Sequence, residues 1–216
     1  MISDKVLQSK IKWVPHKTQK EVLESNSREI VICAGRRWGK SAVCGYLIVK
    51  TFLQGLIDIK SGKRDSVKIW IVAPSYDLTR KVFEYVVKFL RNYDKRFDSY
   101  IGDRPFPQLK ITESVWIQCR SADEAKSLLG EELDLLVIDE AAQISKTVWF
   151  DKLMPATASK DRLCRTVFIS TPVGKNWFYD IFMANKPDGA FHFTSLDGVS
   201  INQEQWDRLK KISPPD

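Results

Sequence analysis

The sequence predicts an α/β fold, a mostly parallel central sheet flanked by helices on both faces. Short apolar runs rich in β-branched residues alternate with longer segments of helical period, the pattern of consecutive βα units. Those runs are apolar almost throughout, as strands are when helices cover both of their faces. The composition, 44% hydrophobic and 28% charged over 216 residues, supplies the core of one ordinary domain.

Strands are expected at 29–34, 68–73, 135–139 and 166–170, with an edge strand at 191–195. Between the second and third, Leu109-Lys110-Ile111 and the run from Val115 to Cys119 alternate around Thr112-Glu113-Ser114 and read as a hairpin. Helices are expected at 19–25, 41–56, 77–92, 122–129, 146–153, 176–184 and 203–211. In the third, Leu78, Val82, Val86, Phe89 and Leu90 form an apolar stripe, while Arg80, Glu84, Lys88 and Arg91 share another face. Ser213-Pro214-Pro215-Asp216 cannot continue a helix. Residues 1–212 therefore read as one domain and 213–216 as the start of a linker.

Charge and cysteine usage narrow the class. The 34 Lys and Arg against 27 Asp and Glu leave a formal charge of +7, which suits a polyanionic partner without demanding one. The longest apolar stretch, 42–49, falls short of the roughly 18 residues of a membrane span, and the opening residues do not make a signal peptide. The four cysteines lie far apart with no CxxC pair, and there are only two histidines. Buried, reduced thiols are expected rather than a zinc site.

The strongest local signal is Ala34-Gly35-Arg36-Arg37-Trp38-Gly39-Lys40-Ser41, followed by Ala42, between an apolar strand and a long helix. In that context a glycine-rich turn aims backbone N–H groups and the positive helix end at a phosphate. Lys40 adds a point charge and Ser41 a hydroxyl for Mg²⁺. The P-loop pattern GxxxxGK[ST] wants Gly at 34 and finds Ala, which is still small. Two arginines inside the loop are unusual. Arg36 can reach a γ-phosphate as an arginine finger in cis, an effect worth about 10³–10⁵ in rate. The alternative for Arg36 and Arg37 is solvation or pairing with local carboxylates.

Leu135 to Asp139 is an apolar strand ending in two carboxylates, Asp139 and Glu140, 99 residues after Lys40. In a parallel sheet that end faces the same crevice as the phosphate loop. Asp139 is then placed for Mg²⁺ and Glu140 for activating water, a pairing that favours hydrolysis over phosphoryl transfer to a second substrate. Ser170 and Thr171, in Ser-Thr-Pro-Val-Gly, end a third strand at the crevice and can couple a γ-phosphate to neighbouring structure, or simply form a polar turn. Gln19 carries a donor and an acceptor that suit an adenine edge, or it is solvated. Residues 80–96 are locally basic, so Arg80, Lys81, Lys88 and Arg91 are weak candidates for a DNA track, against a solvated helix face or a subunit contact.

Taken together, Gln19, Gly35-Arg36-Arg37-Trp38-Gly39-Lys40-Ser41, Val72-Ala73-Pro74-Ser75-Tyr76, Val137-Ile138-Asp139-Glu140-Ala141-Ala142 and Ser170-Thr171-Pro172-Val173-Gly174 resemble the ATPase domain of the large terminase subunit of tailed bacteriophages. The resemblance spans about residues 13–195. It implies a RecA-like P-loop ATPase that hydrolyses ATP with Mg²⁺ to package double-stranded viral DNA into a procapsid. Arg36 would act in cis, and Ser170 and Thr171 would couple hydrolysis to movement. It further implies a portal protein and a small terminase subunit as partners, and a ring of subunits, usually five, built from a domain that is monomeric alone. Its location would be the host cytoplasm and, transiently, the procapsid portal, with no membrane and no place in the mature virion. The family's C-terminal nuclease has no room in this chain. A helicase or remodelling ATPase, and a nucleotide-gated DNA-binding subunit without turnover, are the alternatives.

Overall fold

An extended apolar run is stable where both its faces are covered, and the computed structural model places each expected central strand in that situation. It describes residues 2–128, 131–159, 163–199 and 203–212. The strands are β1 (Glu29–Ala34), β2 (Val67–Ala73), β3 (Ile101–Gly102), β4 (Gln108–Thr112), β5 (Val115–Ser121), β6 (Leu135–Asp139), β7 (Arg165–Ser170) and β8 (Ala190–Phe193). They form one sheet in the order β3-β4-β5-β2-β6-β7-β1-β8. Every pairing from β5 to β8 is parallel, and only β3–β4 and β4–β5 are antiparallel. The C-terminal ends of β1, β2, β6 and β7 therefore open on one edge.

The helices are α1 (Asp4–Ile11), α2 (Lys17–Glu24), α3 (Lys40–Lys60), α4 (Tyr76–Tyr93), α5 (Lys146–Val148), α6 (Met154–Thr157), α7 (Trp177–Ala184) and α8 (Gln203–Ile212). Strand side chains alternate between two cores. On one face Ile30, Ile32, Ile69, Ile71 and Ile117 meet Leu7, Val43, Phe52, Val86 and Phe89 of α1, α3 and α4. On the other, Val31, Trp70, Leu136, Ile138 and Phe168 meet Trp149, Leu153, Trp177 and Phe178.

Several elements differ from expectation for identifiable reasons. The helix α1 was not foreseen, because it buries only Leu7 and Ile11, too few positions to show a period; Tyr46 and Lys50 anchor it by donating to Asp4. The expected helix at 122–129 is instead a pair of 3₁₀ turns over Ala122–Ser127, broken at Glu124, and its Leu129 end lies outside the described residues. The helix at 146–153 divides into α5, a wide π turn at Trp149–Leu153, and α6. Pro155, at the start of α6, has no N–H to continue a regular ladder. The edge strand stops at Phe193, where Thr194 donates twice to Asp197 and turns the chain into a 3₁₀ segment, Ser195–Asp197. Residues 213–216, expected as a linker, lie outside the described residues.

The 21-residue α3 is long and apolar enough to cross a membrane, but 61% of its apolar window is buried between the sheet and α4. All four cysteines are free thiols, with Cys33 half-buried and the rest buried. Burial pushes Cys119 and Cys164 up to about 12, so both stay protonated and unreactive. Among the described residues no His, Cys, Asp and Glu cluster of metal-binding size occurs.

Where α3 crosses α4, Gly45 lets the helices touch: a Cβ there would lie 2.6 Å from Tyr85 Cβ. Gly45→Ala is expected to cost about 1–3 kcal/mol by overpacking despite its better helix propensity, whereas Gly102→Ala, with open space around it, changes stability by less than about 0.5 kcal/mol. Urea unfolding of both variants measures the difference.

Candidate active site

The loop between β1 and α3 is shaped by its glycines. Gly39 takes φ +103°, and a Cβ on it would meet Gln19 Nε2 at 2.5 Å; at Gly35 a Cβ would crowd the Ser195 backbone N at 2.6 Å. Ala34 departs from the phosphate-loop pattern without harm because it is still strand, paired with Phe193 and fully buried. Arg37 also sits at positive φ, +65°. The Lys40 ammonium curls back to donate to the carbonyls of Ala34 (2.6 Å) and Gly35 (3.3 Å).

A second set of contacts ties the loop to α2. The Trp38 carbonyl accepts from His16 Nε2 (3.1 Å) and Gln19 Nε2 (3.4 Å), which places the His16 ring proton on Nε2. The His16 backbone N–H donates to Gln19 Oε1 (3.1 Å). The Trp38 indole turns inward, donating to Thr18 Oγ1 (3.0 Å) and stacking on Phe193 with ring centroids 4.8 Å apart. Both ends of the Gln19 amide thus serve the loop rather than an open adenine edge, and Trp38 contributes backbone, not its ring, to the site. His16 and Thr18 carried no signal in the sequence, because a backbone carbonyl is their target.

The loop and the β6 end share a cavity of about 420 Å³, lined by Arg36, Arg37, Lys40 and Ser41 on one side and Asp139 and Glu140 on the other. Gly39 and Ala42 complete the loop side. The arginines are exposed and make no ion pair among the described residues. Asp139 is 4% exposed. Burial, then the neighbouring Glu140 charge, raise its pKa to about 6, against the opposing pull of the Glu140 N–H, Lys40 and Lys81. The same burial lowers Lys40, and Glu140 and Asp139 pull it back up. Glu140 takes the left-handed conformation at φ +50°, unusual for a side-chain-bearing residue and common where geometry is imposed by function. Gln143 Nε2 donates to its carboxylate at 3.4 Å.

Behind the cavity, the fully buried Ser170 accepts from the Ala142 N–H (3.4 Å), and Asn176 Nδ2 donates to the Ala142 carbonyl (3.2 Å). The β7 end is therefore fastened to the turn that carries Glu140. Thr171 follows, half-buried, outside the cavity lining.

The four basic residues considered for DNA do not form one track. Arg80 pairs with Asp103 (3.0 Å) and Arg91 with Asp98 (2.5 Å). Lys88 and Arg91 flank a separate groove floored by Phe83, Val87 and Ile101. Lys81 points the other way: with Tyr85, one helical turn on, it lines the cavity of the phosphate loop.

A family model described as the helicase domain of the RNA cytidine acetyltransferase NAT10/TcmA matches residues 31–173, from β1 to the loop after β7. The chain belongs to this helicase-domain family. Among relatives of the domain, the large terminase subunit of Thermus phage G20c is 27% identical over 219 residues, covering 90% of this chain and 43% of that protein. The large terminase ATPase domain of Thermus phage P74-26 superposes with a TM-score of 0.75 at 25% identity, covering 99% of this chain and 94% of that one. The large terminase of another thermophilic bacteriophage, solved with ADP, shares the fold at a TM-score of 0.62 and 14% identity, over 92% of this chain and 50% of that one. The resemblance to large terminase ATPase domains is borne out in sequence and in fold, and this helicase-family domain spans less than half the length of the curated relatives it matches.

In the folded domain, free of metal and nucleotide, the Asp139 carboxyl keeps its proton up to about pH 6, while in the unfolded chain it gives it up near pH 4. The native state binds the extra proton between those values, so stability falls as pH rises through that window. Asp139→Asn is expected to flatten this slope and raise the melting temperature at pH 7, read by thermal melts across pH 4–8.

Proposed function

We propose that this domain hydrolyses ATP and spends the energy on driving double-stranded viral DNA into a procapsid, as the motor part of a large terminase. The observation that carries the reading is the single cavity joining Arg36, Lys40 and Ser41 to Asp139 and Glu140. The α3 N-terminus and the loop N–H groups hold the phosphates, and Lys40 exchanges its two carbonyl partners for phosphate oxygens. Arg36, exposed and without an ion pair among the described residues, is free to meet charge on the transferred group. Glu140, held by Gln143, takes the proton of the attacking water.

The donor set fits Mg²⁺: one buried carboxylate and one hydroxyl at a helix start, with no acidic cluster of metal-binding size among the described residues, as suits an ion that keeps waters and shares substrate phosphates. Ser41 and Asp139 would hold it, and it would offset the phosphate charge. ADP bound to the terminase of the second thermophilic phage supports nucleotide binding at this fold.

The Ser170–Ala142 contact supports a coupling role for Ser170 and Thr171, which relays the state of Glu140 to the sheet edge. The partners belong to the same proposal: double-stranded DNA, a portal protein, a small terminase subunit and a ring of copies, probed in the host cytoplasm and at the procapsid portal.

Glu140→Gln is expected to bind nucleotide normally and to lose at least ~10²-fold in turnover, measured by phosphate release with and without DNA; near-normal turnover removes Glu140 from the mechanism. Arg36→Ala is expected to fall by about 10³-fold. A rate within about threefold of the parent would falsify the cis role.

A further inference from the structure

Among the described residues, Lys81 is the one cavity-lining cation that comes from neither the loop nor α3. The helices α3 and α4 both leave the C-terminal edge of the same parallel sheet, after β1 and β2, and pack side by side. Their register is set at Gly45 against Tyr85. One turn back toward the crevice on each helix stand Ser41 and Lys81. The loop and α2 lie on the β1 side of the sheet. Because β2 neighbours β6, Lys81 reaches the cavity from the other side, where Asp139 and Glu140 end their strand.

Its charge is available. Lys81 is exposed and makes no ion pair among the described residues, whereas Arg80 and Arg91 of the same helix are each tied to an aspartate. Its field acts on Asp139. A side chain with three donors, on the Glu140 side of the phosphate loop, meets the phosphate farthest from the nucleoside.

We propose that Lys81 donates directly to the terminal phosphate of ATP and makes the domain distinguish ATP from ADP. This inference rests on the ATPase reading above. Lys40, in the loop, serves the phosphates common to both nucleotides, and Lys81 serves the one that hydrolysis removes. The helix α4, which follows Pro74-Ser75 at the β2 end, is thereby pulled toward the cavity only while the terminal phosphate is attached.

The test compares the affinities of ADP and ATP-γ-S for the parent domain, Lys81→Ala, Lys81→Arg and, as a charge control far from the cavity, Lys5→Ala, with melting curves to establish folding. The expected result is at least a tenfold loss of ATP-γ-S affinity in Lys81→Ala, less than a threefold change for ADP, recovery of most of the loss in Lys81→Arg, and no change in Lys5→Ala. Equal losses for both nucleotides would reduce Lys81 to a general contribution to the field and overturn the proposal, as would unchanged affinities. If the parent binds neither nucleotide, the ATPase reading fails and this one with it; if the parent binds both and Lys81→Ala is silent, only this one fails.

Discussion

One buried carboxylate sets the terms for the rest of the crevice. Asp139 ends a strand covered on both faces, is almost wholly removed from water, and has no ion-pair partner among the described residues. A charge in that position is costly unless positive groups converge on it. The surroundings answer with Lys40 from α3, Lys81 from α4 and the Glu140 N–H at 2.8 Å. Three separate segments must therefore be held in register for this one group, and the order β2-β6-β7-β1 does so by placing their strand ends in a row.

The loop itself is held from outside its own sequence. Its turn at Trp38 is gripped by α2 through His16, Thr18 and Gln19, and its start by the chain after β8 through Phe193 and Ser195. These grips come from opposite ends of the chain. A phosphate loop is usually described as a local motif, but here its conformation is a tertiary property, and damage to the β8 segment is transmitted to Gly35 and Trp38.

Much of this was legible in the sequence because the relevant physics is local. A buried strand shows as an apolar run, a phosphate loop as glycines between strand and helix, and a catalytic strand end as two acids after Leu135–Ile138. What was illegible depended on direction or on distant partners. The charge pattern put Arg80, Lys81, Lys88 and Arg91 together, yet Lys81 turns to the opposite side of α4, since helix rotation is fixed by the Gly45–Tyr85 contact. Gln19 was read for its amide chemistry, and the amide is engaged by a backbone carbonyl that no pattern reveals. The π turn at Trp149 answers to the packing of Trp149 on Phe168 and Trp177, which exists only after the sheet is assembled.

The sheet is asymmetric at its margins. One margin is β3, two residues long, and the other is β8, four residues long and cut off by the Thr194–Asp197 turn. Neither offers a row of free N–H and C=O groups long enough to template another strand. Extension of the sheet from one molecule into the next is closed off on both sides. Contacts between copies are left to side chains and charge, which salt can weaken and which can be made and broken without disturbing the hydrogen bonds that hold the domain together.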